Sequence, residues 1–209
     1  NLYKLILKKI IFLLLMVTIV SFGQSDKEYF ESGNSKIEKD NFDGAIEDFN
    51  KSIELNPNNI DAYFNRAWAN FFLEKDQEVI DDLTKFIILS PNSKKKYDAF
   101  ILRGEIKQRI FDDYKGALFD FNKAIEMKFN TGRAYVNRGS LKFGLGDFQG
   151  AIKDHTKAIQ LNPNNFTAYR ARGLSKLQID DLTGACKDFT KASSIGDSQS
   201  DSLIKDLCN

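Results

Sequence analysis

Sulfur and imidazole are scarce in this sequence of 209 residues, which has two cysteines, Cys186 and Cys208, and one histidine, His155. So few ligands cannot supply the Cys and His spacing of a zinc site. No glycine-rich phosphate loop occurs, since Gly104, Gly139 and Gly173 fall inside helical patterns, where they permit close approach of a neighbouring helix. Neither sign of charge dominates. Lys plus Arg number 30 and Asp plus Glu 29, and without Lys4, Lys8 and Lys9 the balance is 27 against 29. Neutralising phosphates needs a basic surface, so nucleic acid is excluded as the main partner. The acidic residues recur in columns instead of converging on one site, so neither enzyme chemistry nor a cofactor is expected. Long apolar runs are missing except near the start. There Lys4, Lys8 and Lys9 accompany an apolar run from Ile10 to Val20, followed by Ser21-Phe22-Gly23. That order reads as a signal peptide over 1–23, cleaved near Gly23–Gln24. The run is short for crossing a bilayer, which disfavours the alternative of an uncleaved anchor.

Proline is equally sparse, and its placement shows what is present. Pro57, Pro91 and Pro163 occupy one column of a repeating pattern. The clearest copy is 132–165, where Ala134, Arg138, Leu141 and Leu145 recur at spacings of three and four. Gly144, Gly146 and Asp147 interrupt that stripe as a turn should. A second stripe follows with Phe148, Ala151, Ile152, Ala158, Ile159 and Leu161, and Asn162-Pro163-Asn164-Asn165 stops it. Tyr169 to Gly173 repeats Tyr135 to Gly139 after 34 residues, with earlier copies at Tyr63 to Ala67 and Phe100 to Gly104 and a diverged one at Tyr29 to Gly33. The second halves align as GAIEDFNKSIEL, EVIDDLTKFIIL, GALFDFNKAIEM, GAIKDHTKAIQL and GACKDFTKASSI. The step from Val79 to Ala117 is 38 residues where the others are 34. Lys94-Lys95-Lys96, read as a solvated loop, absorbs three of the extra residues, and the Phe111-Asp112-Asp113 turn the fourth.

Five helix–turn–helix units of this period resemble the tetratricopeptide repeat family. The resemblance implies an all-α, right-handed superhelical solenoid over 24–209, each unit packing only on its neighbours. Its repeats fall at about 26–59, 60–93, 94–131, 132–165 and 166–196. A capping helix at about 198–207 would place Leu203, Ile204 and Leu207 on the last repeat's open face. The family also implies a protein or peptide partner held in a concave groove lined by the first helices. The groove candidates are Phe64, Asn65, Trp68 and Phe71, with Asn65 and Asn137 bonding a partner's backbone and Arg133 and Arg170 adding charge. Trp68 stands apart because the matching positions hold Asn34, Glu105, Ser140 and Leu174. Its alternative role is a packed inter-helix filler. The Lys, Asn and Arg set with which some family members grip a terminal carboxylate is missing from the inner positions.

Two polar columns invite a structural reading. Asp48, Asp82, Asp120, Asp154 and Asp188 recur on the second helices, and Arg66, Arg103, Arg138 and Arg172 on the first helices from the second repeat onward. Pairing within a repeat would leave Asp48 facing Ser32. Pairing with the following repeat gives Asp48–Arg66, Asp82–Arg103, Asp120–Arg138 and Asp154–Arg172, an inter-repeat ladder setting stacking register. His155 shares a column with Phe49, Leu83, Phe121 and Phe189, which marks it as a packing residue. Export would carry Cys186 and Cys208 into an oxidising compartment, where a capping helix folded back antiparallel would let them bond. The alternative leaves Cys186 as a small apolar residue in the column of Ile46, Ile80 and Ile152, with Cys208 free. The expected function is a non-enzymatic scaffold, periplasmic or secreted by a bacterium, that binds a protein or peptide. The rival is a structural assembly subunit of a bacterial envelope or secretion complex.

Overall fold

The computed structural model describes residues 24–129 and 132–208, so the expected leader over 1–23 lies outside the described residues. Among the described residues the regular structure is helical throughout. The helices are α1 (Asp26–Ile37), α2 (Phe42–Leu55), α3 (Ile60–Phe72), α4 (Asp76–Leu89), α5 (Lys94–Arg109), α6 (Tyr114–Glu126), α7 (Arg133–Gly144), α8 (Phe148–Leu161), α9 (Phe166–Leu177), α10 (Leu182–Ser194) and α11 (Ser198–Leu207). None is long and apolar enough to cross a membrane.

The turns explain the boundaries. Between the helices of a pair one residue takes a left-handed conformation: Asp40, Glu74, Asp112, Gly146 or Asp180. The residue after it caps the second helix. Asn41, Asp113, Asp147 and Asp181 accept from the backbone N–H of Gly44, Gly116, Gly150 and Gly184, which satisfies one of the orphan donors of a helix start. The α3–α4 pair departs from this rule, with Lys75 at the cap and no side-chain bond. Between pairs, Asn162 Oδ1 accepts from Asn164 N and Asn165 Oδ1 from Ala168 N, so the Asn-Pro-Asn-Asn string ends one helix and starts the next.

The lysine run is not a loop. Lys94 to Lys96 form the first turn of α5, capped by Ser93, whose hydroxyl accepts from Lys96 N. Solvated lysine side chains are compatible with a helix, and Ser93 provides the start signal that the charge run obscures. Lys95 Nζ reaches back to Asp61 Oδ1 at 2.7 Å and Lys96 Nζ to the Ser90 carbonyl at 2.8 Å. The extra residues therefore lengthen α5 to 16 residues and widen the next turn by one.

Each helix packs on the next in the chain, and α1–α3, α5–α7 and α7–α9 also touch, while the second helices of neighbouring pairs make no comparable contact. The first helices therefore crowd along the inside of the curve. Inside each pair, a small residue on the first helix makes room for a large one on the second. A Cβ added at Gly33, Gly104 or Gly173 would lie 2.7, 2.7 or 2.5 Å from the ring of Phe49, Phe121 or Phe189. At Gly139 the neighbour is His155, 2.7 Å away. The second pair holds Ala67 in this column with Leu83 opposite, both fully buried, so the added methyl meets a smaller partner.

Candidate functional site

The charged columns converge inside each pair, not between pairs. Arg66, Arg103, Arg138 and Arg172 each donate through Nε and Nη2 to Asp82, Asp120, Asp154 and Asp188, at 2.9 and 2.6 Å in every case. This corrects the expected pairs Asp48–Arg66, Asp82–Arg103, Asp120–Arg138 and Asp154–Arg172. The forked, bidentate geometry explains the preference, since both donors meet both oxygens of one carboxylate. The inter-pair link exists, but its acceptor is neutral. The remaining Nη1 donates to Asn50, Thr84, Asn122 or Thr156 on the preceding second helix. The first pair has no predecessor, so it needs no such bridge and carries Ser32. Asp48 is instead met by Lys36 Nζ at 2.8 Å.

A lysine column completes the fork. Lys107, Lys142 and Lys176 approach Asp120, Asp154 and Asp188 at 3.0, 2.9 and 2.8 Å. The second pair has Asn70 there, 3.5 Å from Asp82. The effect on acidity is opposite in sign. Burial pushes the Asp82 carboxyl above its ordinary value, and Arg66 offsets that only in part. Burial acts the same way on Asp154, but Arg138 and Lys142 together outweigh it and hold that carboxyl below its ordinary value. His155 is fully buried, and burial pushes it down to about 4 against the opposing charge of Asp154.

The inner face carries the groove candidates. Trp68 is 38% exposed, with its ring 6.4, 5.9 and 6.2 Å from those of Phe64, Phe71 and Phe72. Phe64 also packs 4.8 Å from Phe86 beneath it, which makes it part of the wall. Asn65 Nδ2 donates to Asn34 Oδ1 at 2.6 Å. Arg133 Nη2 and Asn137 Nδ2 both donate to Glu105, at 2.9 and 2.7 Å. The expected free donors are thus engaged by first-helix neighbours. Arg170 leaves the groove altogether: it pairs with Asp197, which is buried and also accepts from the Ser200 hydroxyl, so it anchors the start of α11. At the other end of α11 a disulfide joins Cys186 to Cys208, with Cα atoms 5.7 Å apart.

Beside the aromatic group lies a hollow of about 670 Å³, walled by Phe71, Leu102, Ile106, Leu141 and Leu145. Sequence reasoning missed it because small residues define it. Ser140 and Gly144 line it and occupy the places on α7 that Trp68 and Phe72 hold on α3.

With this geometry in place, comparison with known proteins finds the same repeat in two stretches of the chain. Residues 132–165 match the tetratricopeptide repeat model and residues 33–71 a second TPR repeat model. The chain carries tetratricopeptide repeats. Among the relatives of this tetratricopeptide repeat protein is the STIP1 homolog of Dictyostelium discoideum, 31% identical over 75 residues, which are 36% of this chain and 13% of that protein. The matched stretch thus spans a small part of that relative's length. Crystalline MamA superposes with a TM-score of 0.75 at 25% identity, covering 83% of this chain and 93% of that one. The structure of YrrB, described as a TPR protein with an unusual peptide-binding site, superposes with a TM-score of 0.73 at 19% identity over 86% and 91% of the two chains. Tetratricopeptide repeat proteins serve as protein-interaction scaffolds, and the stacked fold here is theirs.

Proposed function

We propose that this protein is an exported, non-enzymatic scaffold that holds an extended segment of a protein partner in the groove formed by its first helices. The carrying observation is Trp68. Its ring stands partly in solvent on the inner face, amid Phe64, Phe71 and Phe72. An exposed tryptophan backed by packed aromatics has the make-up of a binding hot spot. Export is supported by the basic and apolar order of residues 1–23 and by the Cys186–Cys208 bond, since disulfides persist in oxidising compartments. The periplasm or exterior of a bacterium is the proposed location.

A second reading, a subunit of an envelope or secretion complex docked through its outer face, is favoured by Ile88 and Phe119. These lie on second helices and are 70% and 53% exposed. Photo-cross-linking separates the two. A benzophenone side chain placed at position 68 should capture a partner in the native cell, and one at position 119 should not. The reverse pattern would transfer the function to the outer face. Against a partner segment so identified, Trp68→Ala should weaken binding by about 2 kcal/mol. The thermal transition should stay within about 3 °C, because a partly exposed ring contributes little to the core.

A further inference from the structure

We infer that the hollow beside Trp68 receives a bulky apolar side chain of the bound segment, and that Arg109 at its rim selects a carboxylate close by in the same segment. This rests on the groove reading above. The hollow is an omission from an otherwise filled surface. On α3 the inner face is filled by Trp68 and Phe72, whereas on α7 the same places hold Ser140 and Gly144. A Cβ at Gly144 meets open space. Phe71, Leu102 and Leu145 stay open to the hollow over a floor of buried Ile106 and Leu141, and covering apolar surface of this kind is a main driving force of association.

Charge then narrows the occupant. The ionised residues lining the hollow are Glu105 and Arg109. Glu105 is already held by Arg133 and Asn137. Arg109, the last residue of α5, is exposed, and its guanidinium takes part in no ion pair or hydrogen bond among the described residues. Glu74 and Asp76 line an adjoining hollow of about 430 Å³ on its other side, and neither pairs with it. A carboxylate arriving with an apolar anchor therefore finds a free guanidinium able to bind it through two nitrogens. A lysine arriving there finds Glu105 taken and Arg109 repelling it.

The test is a library of random twelve-residue peptides displayed on phage, selected on the full chain and counter-selected on Gly144→Phe, which fills the hollow as Phe72 fills its own place. Enriched peptides should carry Phe, Trp or Leu with Asp or Glu within four residues. Replacing that acid by its amide should weaken binding about tenfold, and Arg109→Gln should erase the difference while leaving the neutral peptide's affinity unchanged. Gly144→Phe should lower the affinity of every enriched peptide at least tenfold while its helical circular dichroism and melting temperature stay near wild type. If Gly144→Phe blocks binding but acid and amide bind equally, or lysine is preferred through Glu74 and Asp76, the role of Arg109 is overturned and the groove stands. If no peptide is enriched, or neither Gly144→Phe nor Trp68→Ala affects those that are, the groove reading itself falls.

Discussion

Replacing His155 by phenylalanine should remove much of the protein's sensitivity to mild acid. The imidazole is fully buried against Gly139, in the column that Phe49, Phe121 and Phe189 fill in three other repeats. Burial lowers its pKa to about 4 from the ordinary 6.5. Between those two values the unfolded chain binds a proton that the folded chain refuses. Stability is therefore whole above about pH 6.5 and falls as the pH drops, with the loss complete below about pH 4. At about 1.36 kcal/mol for each pH unit, the full linkage is roughly 3 kcal/mol, a large share of the stability of a marginal fold. Phenylalanine has no proton to take up, and the glycine opposite already leaves room for a ring. Urea denaturation of both proteins at pH 7, 6, 5 and 4.5 is the direct measurement, with equal m-values as the check that the same transition is followed. The wild type should lose stability faster than His155→Phe, the gap between them widening by about 2 kcal/mol or more by pH 4.5. Carboxylates titrate in both, so only the gap counts. Two curves falling in parallel would show that His155 takes up its proton as readily folded as unfolded, and the reasoning would fail.

Asn70→Lys should complete the fork around Asp82, turning its raised carboxyl pKa toward the lowered one of Asp154. A raised pKa in the folded state means that ionised Asp82 costs stability at neutral pH, so the variant should gain about 1 kcal/mol at pH 7 and less as the carboxyl protonates; a thermal melt showing no gain at pH 7 would refute this. Reducing the Cys186–Cys208 bond, or Cys208→Ser, should free α11 and cost roughly 3 kcal/mol on the chain-entropy model. Hydrogen exchange should rise in α10 and α11 and stay unchanged in α3 to α6, and a uniform rise along the chain would rule out a local staple.

The helix pairs were legible because a period of 34 residues repeats not only apolar stripes but also the turn chemistry between them. The ion-pair partners were misread for an identifiable reason. Reasoning from the Asp and Arg columns alone left Asp48 opposite Ser32, which argued against pairing within a repeat. Two further columns resolve it: Lys36, Lys107, Lys142 and Lys176, and the neutral acceptors Asn50, Thr84, Asn122 and Thr156. Both were readable as periodic positions, the first four residues after Ser32 or the arginine and the second two residues after the aspartate. Neither is apolar nor paired in an obvious charge pattern, so they carried no signal alone. Arg170 was misplaced because Asp197 belongs to no repeat column, and its approach depends on how α11 turns back.

The columns that keep the repeat and those that break it do different work. A guanidinium that holds its own aspartate and touches the preceding helix fixes both the angle within a pair and the stacking between pairs, and Arg103 and Asp120 do so from complete burial of the carboxylate. Breaking such a pair costs roughly 3–5 kcal/mol, so those positions cannot vary to suit a partner. The inner face is held less uniformly, by links that differ from repeat to repeat. At the place of Trp68 the other repeats carry Asn34, Glu105, Ser140 and Leu174, and at the place of Phe72 they carry Glu38, Arg109, Gly144 and Gln178. Asn34 and Glu105 bond to the following first helix, but no single residue type is required in either column, which is why a ring, a hollow and an unpaired arginine can stand side by side on one rigid frame. Selectivity for a segment held in the groove falls to the positions of these columns that no neighbouring repeat engages.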